Sequence, residues 1–176
     1  MRLASIALAV LLGATMAHAV EDEATEREEA AEASKNAPAL AAAMKDAKIS
    51  LAKGMQASAK EGTPISGKFE VEDGKLQLSF YTMKGDKFFE VIVDHKDGKV
   101  AKTEPITEGD DLAAAKEQAD AMKKAKRSLH DVIAKAEKAN AGYRAVSVIP
   151  EIERGAAHAD VTLLKGTESK RVEEDL

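Results

Sequence analysis

The chain has 176 residues, 26 basic against 31 acidic, and a formal net charge of −5 at pH 7. That acidic balance, with no clustered basic footprint, argues against nucleic acid as a partner. The absence of cysteine excludes a disulfide framework, a thiolate site and a lipid-modified cysteine, so stability must come from packing in a core where aromatics are only 3% of residues.

Residues 1–19 have the three parts of a secretory signal: Arg2, an apolar run from Ile6 through Leu12, and the A-x-A site Ala17-His18-Ala19. Cleavage after Ala19 is expected, giving an exported, periplasmic product. The apolar run falls short of the roughly 20 residues that a membrane helix needs, and no later segment approaches that length, so no membrane span is expected.

Residues 20–37 (VEDEATEREEAAEASKNA) form an acidic arm rich in Glu and Ala, with almost nothing large and apolar to bury. It reads as a solvated arm or frayed helix, with an interaction tail as the alternative. Pro38 suits the first turn of a new helix. From Ala39 to Lys60 the residues Leu40, Met44, Ala47, Leu51 and Met55 make a stripe at helical spacing, ended by Glu61-Gly62-Thr63-Pro64.

The pattern then becomes alternating. Phe69 and Val71 precede the turn Asp73-Gly74, and Leu76, Leu78 and Phe80 follow it, which predicts a hairpin. A second turn at Lys84-Gly85-Asp86-Lys87 leads into Phe88 to Val93, the best-formed strand of the chain, and Asp97-Gly98 leads into a return strand over Val100 to Ile106. Val91 and Val93 are expected to face the helix Ala39–Lys60.

Thr103 to Asp111 is a polar connector in which Asp110 or Asp111 is placed to cap the next helix. Leu112 to Asn140 lacks Gly and Pro and carries the stripe Met122, Ala125, Leu129, Val132, Ile133, Ala136, which predicts one long helix. Strands follow over Tyr143 to Ile152, with Pro150 marking a break or edge, and over Ala159 to Leu164. A weak last strand lies near Val172; its edge is a candidate to stay unpaired and take up an extended peptide, with the alternative that the charges at Lys170, Arg171, Glu173, Glu174 and Asp175 protect it from aggregation. Two internal matches fit a repeated plan: Ser50-Leu51 with Met55 against Ser128-Leu129 with Ile133, and Met83-Lys84-Gly85 against Leu164-Lys165-Gly166.

The helix, then Gly67 to Lys75 (GKFEVEDGK), then Glu90 to Val100 (EVIVDHKDGKV), resembles the PepSY domain family, over Leu40 to Ile106 and in part over Leu129 to Leu176. The second stretch departs from the pattern, because Val172 to Leu176 stops before any DGKV-like hairpin. The resemblance implies a small exported module, often tandem, that restrains peptidases or regulates their environment.

No catalytic constellation stands out. The chain lacks G-x-S-x-G, a phosphate loop and G-x-G-x-x-G, and its histidines after the signal, His95, His130 and His158, form no H-E-x-x-H or i, i+4 pair. His95 beside Asp94 and Asp97 suggests a weak divalent-metal site, against a polar turn whose carboxylates bond the backbone. His130 reads as a surface or half-buried helix residue. Met44, Met55 and Met122 read as core rather than as copper ligands.

The expectation is therefore an α+β protein of two repeats, each one helix followed by an antiparallel β-meander. A PepSY-like unit spans 38–106 and a second 107–176, after the signal (1–19) and the arm (20–37). No catalytic, cofactor-binding or metal-binding residue is assigned and no cofactor is expected. The expected role is a non-enzymatic binding or regulatory module for an envelope protein partner such as a protease. The alternative is a periplasmic small-ligand or metal-binding carrier.

Overall fold

The computed structural model describes residues 37–176. The segment 1–19 expected to be a signal and, Ala37 apart, the arm expected over 20–37 lie outside the described residues. Residues 37–176 belong to one compact unit.

A helical segment over residues 37–43 (α1) tightens into a 3-10 turn, Met44–Asp46, and the chain leaves the helix at Ala47, where ψ is 122°. Helix α2, Leu51–Ser58, begins afresh because the Ser50 hydroxyl accepts the Lys53 N–H at 3.2 Å. The single helix expected over Ala39–Lys60 is thus two, and the carbonyl of His95 accepts the Lys48 and Ile49 N–H groups left over between them. The second expected helix divides in the same way. Helix α3, Gly109–Lys124, ends where Ala125 turns extended, and α4, Leu129–Ala139, is capped by Ser128, whose hydroxyl accepts from Asp131 N and donates to Asp131 Oδ2. Glu108 rather than Asp110 or Asp111 holds the cap position of α3, without a side-chain bond, and the two aspartates lie in its first turn.

Among the described residues seven strands follow the alternating stretches: β1 Thr63–Glu72, β2 Lys75–Lys84, β3 Lys87–Val93, β4 Val100–Ile106, β5 Arg144–Glu153, β6 Ala156–Lys165 and β7 Glu168–Asp175. The β1–β2 turn carries positive φ at both Asp73 and Gly74, which sets the twist a two-residue hairpin needs. All seven join one antiparallel sheet in the order β4-β3-β2-β1-β5-β6-β7. Two helix-then-meander units were expected. Instead β1 pairs with β5 through Gly67↔Val148 and Lys68↔Ser147, which fuses the two meanders at their first strands. Pro150 does not break β5; it pairs opposite Ala159 on β6, past the short contact with β1.

Both faces of the sheet are used. Phe69, Leu78, Phe80, Val91, Val93, Val148, Val161 and Leu163 face α2 and α4 in the main core with Leu51, Met55, Leu129, Val132 and Ile133. Val91 and Val93 thus lie where the alternation placed them, at 0% and 1% exposure. The opposite parity carries Tyr81, Met83, Phe88 and Ile106, which pack with Ile65, Ala115 and Ala119 in a second cluster under α3. A bulge between Pro64 and Ser66 turns Ile65 toward that side. Helix α3 connects β4, at one edge, to α4, over the far half of the sheet, and its small residues let it lie close to the strands it crosses.

Candidate functional site

The hairpin that suggested a metal site is built as a turn. Asp94 Oδ1 accepts the N–H groups of Lys96 (2.7 Å) and Asp97 (3.3 Å), while Asp97 accepts the Lys99 N–H at 2.9 Å and Lys99 Nζ at 2.8 Å. Those bonds to Lys99 hold the Asp97 carboxyl below the usual carboxylate range. Both carboxylates therefore bond the local backbone, and His95 turns its Nδ1 into a buried spot with no partner. Among the described residues no group of three or more His, Asp and Glu side chains is placed to hold a metal ion. His130 is exposed on α4. His158, on β6, sits with Nδ1 3.1 Å from Glu173 and 3.6 Å from Asp175 of β7.

An open cleft of about 480 Å³ lies at the far end of the first meander, between the β1–β2 hairpin and the β3–β4 turn; Leu76, Leu78, Ile92, Val93, Asp94 and His95 are among its lining residues. Its lining mixes apolar side chains with charged ones such as Glu72, Asp73 and Lys75.

On the side of β1 to β3 that carries α3, the stretch beyond the second cluster is acidic. Glu70 accepts the Ser79 hydroxyl at 3.1 Å and pairs with Lys68 at 2.7 Å. Glu90 lies opposite Glu104 of β4, and burial, followed by the charge of Glu70, pushes its carboxyl above the usual range. The Tyr81 hydroxyl donates to Asp111 at 2.6 Å, which ties α3 to the sheet. Burial, then this bond, pushes the phenol well above its ordinary value.

The sheet has two edges, and they differ. β4 is seven residues long, contains Pro105, and meets β3 through a bulge between Ile92 and Val93, all devices that spoil an edge as a template. β7 is eight residues long with no Pro or Gly, and its pairing with β6 runs from His158↔Asp175 to Lys165↔Glu168 without a shift. It is better formed than its composition suggested. Among the described residues no strand pairs with its outer side.

The orientation of that edge follows from one bond. Leu176 N donates to Ala157 O, its directly opposite residue in the β6–β7 register, so residues of even number on β7 turn their N–H and C=O groups toward β6. Ser169, Arg171, Glu173 and Asp175 turn theirs outward. The side chains of the strand are held by its own body: Arg171 by Asp160 and Glu151, Glu174 by Lys135, and Lys170 by Asn140 and the face of Tyr143.

No family model, curated protein or solved structure matches this chain.

Proposed function

We propose that the protein is a non-enzymatic, exported binding module of PepSY-like build, and that β7 takes up an extended segment of an envelope protein by strand addition. The resemblance in Gly67 to Lys75 and Glu90 to Val100 makes a peptidase the partner class to test first. The observation that carries this reading is the shape of β7, eight residues long, regular and free of proline, at the end of the strand order among the described residues.

The same reading takes the two halves as repeats of one helix-then-meander unit. Its support is that β5 begins and ends 81 residues after β1, and β6 does so after β2, with a bulge at the same place in β1 and β5. Helices α2 and α4 also start alike, each behind a serine cap.

The test is retention of an envelope protein from a periplasmic extract on immobilised protein, compared with Glu173→Pro, which removes one outward N–H and leaves the bonds to β6 intact. Retention by the wild type and its loss in the variant is the expected result; equal retention by both places the contact elsewhere. Hydrolysis of a peptide or ester by the purified protein would overturn the non-enzymatic reading. Export is tested by intact mass, which should lack Met1 to Ala19.

The carrier reading has one observation in its favour, the cleft beside His95 with the partnerless Nδ1. A thermal shift on adding haem or a divalent metal, abolished by His95→Ala, would favour it over strand addition.

A further inference from the structure

Strand β3 stops short of the full length of β2. Its register with β2 runs from Lys84↔Lys87 to Ser79↔Ile92, while β2 continues back to Lys75 in register with β1 alone, from Leu78↔Phe69 to Lys75↔Glu72. Beyond Ile92 the chain bulges against β4 and enters the turn in which Asp94 N donates to Lys99 O. Lys75 to Leu78 thus form a short edge inside the sheet. The open cleft of about 480 Å³ lies against it, lined from β2 by Lys75, Leu76 and Leu78 and from the end of β3 and its turn by Val93, Asp94 and His95. We infer that this cleft takes up the extended end of a peptide, apolar at one position and basic at those flanking it, which adds to β2 in the place that β3 vacates. The site lies on β2, with β1, β5 and β6 between it and β7, and does not depend on the reading given to that edge.

Backbone geometry decides which groups are on offer. The two-residue turn Gly85-Asp86 makes Lys84↔Lys87 a hydrogen-bonded pair, so residues of even number on β2 turn their N–H and C=O groups toward β3 and those of odd number toward β1. Leu76 has an even number, and among the described residues no strand lies opposite it on that side. An antiparallel residue placed there exchanges two hydrogen bonds with Leu76, which is the strand-addition mode of peptide capture. The gap closes where Ser79 meets Ile92, so it accepts a chain end and not a segment passing through.

The side chains set what that end carries. A residue opposite Leu76 shares its face with Leu78, Val93 and the exposed Val71, which pairs with Leu76 across the hairpin, so an apolar side chain belongs there. The residues before and after it point to the other face, that of Glu72 and Gln77. The carboxylates lining the cleft, Glu72, Asp73 and Asp94, outnumber its lysine, Lys75, and this imbalance favours basic side chains at the flanking positions. Asp94 keeps an oxygen for such a contact, because its bonds from Lys96 N and Asp97 N both use Oδ1.

Amide hydrogen exchange of the free protein reads the first step: Leu76 N–H should exchange quickly, while Gln77 N–H, bonded into β1, is protected. The second step is titration with the synthetic peptide Lys-Val-Lys-Val-Lys, followed by amide NMR signals. Those of Lys75 to Leu78 and Val93 to His95 should shift, and Leu76 N–H should become protected. The peptide Glu-Val-Glu-Val-Glu should bind about tenfold more weakly or worse, and Glu72→Lys, at an exposed position, should weaken the basic peptide by a similar factor with little change in melting point. Methylating the valine N–H groups of the basic peptide removes the bond to Leu76 C=O and should abolish binding without any change to the protein. Glu173→Pro on β7 should leave the titration unchanged, so this inference and the β7 reading stand or fall separately. The inference fails if Leu76 N–H is protected in the free protein, if the basic peptide shifts no signal of the cleft, or if the acidic or the methylated peptide binds as tightly.

Discussion

Phe80 lies directly opposite Gly67 in the β1–β2 ladder, and its ring fills the space that any other residue would need for its side chain: a Cβ built on Gly67 falls 2.3 Å from Phe80 Cδ1. The other side of the same ring meets Gly54 of α2, where a Cβ would lie 2.8 Å from Phe80 Cζ and 2.7 Å from Leu78 Cδ2. One phenyl ring is thus held between two backbones, which fixes how closely α2 approaches the sheet.

Gly54→Ala is expected to destabilise the protein although alanine is the better helix former. The propensity gain is about 1 kcal/mol, against a cost of about 1–3 kcal/mol for forcing Leu78 and Phe80 from their places. Gly67→Ala has no compensating gain and should cost at least as much. Chemical denaturation of the two variants measures both, and a rise in the midpoint for Gly54→Ala would refute the close packing.

Ser50→Ala and Ser128→Ala remove the hydroxyls that start α2 and α4. Each should cost about 1 kcal/mol, the usual worth of a helix cap. The Ser128 variant should cost the more, because it also strips a hydrogen bond from Asp131. Replacing either serine by Asp or Asn should restore most of the loss in the denaturation midpoint.

Val91 is fully buried against α2, so Val91→Asp puts an unpaired carboxylate into the main core and should cost about 3 kcal/mol or more. His95 contributes its backbone carbonyl to the α1–α2 break, and its imidazole Nδ1 bonds nothing. His95→Ala should therefore shift the melting point little. Similar melting points for the two variants would contradict the burial of Val91.

Glu90 gives a pH-dependent test. Its carboxyl is raised in the folded protein by burial and then by Glu70, with Asp111 and Glu72 adding to this and Lys68 opposing it. A folded pKa above the unfolded value means that ionised Glu90 disfavours folding. The penalty is present in full above the folded pKa and vanishes below the unfolded value of about 4.3. Glu90→Gln should raise the melting point at pH 7 by an amount worth under about 1 kcal/mol, since the side chain is only half-buried. The gain should disappear as the pH approaches 4.

The sequence alone determined the hairpins, because each is a local matter: alternation at period two sets which residues face the core, and a short turn such as Asp73-Gly74 sets the register. It also determined the buried faces of α2 and α4 through the spacing of Leu51, Met55, Leu129, Val132, Ile133 and Ala136. The helix breaks were legible in principle, since Ser128-x-x-Asp131 is a capping pattern, but the apolar stripe runs on unchanged through both breaks and hides them. Gly54 lies within the helical stripe, and only the packing reveals that Phe80 approaches it closely.

The rest belongs to the tertiary structure. Gly67 and Val148 carry no mark that they will pair, so neither the fusion of two meanders into one sheet nor the order of its strands could be read from local pattern. The placement of α3 on the opposite face follows from the need to cross from β4 to the far half of the sheet, and its contact residues Ala115 and Ala119 are too small to make a hydrophobic stripe. The charge order of β7 was present in the sequence throughout. Only the pairing with β6 decides which of its residues turn their backbone groups outward.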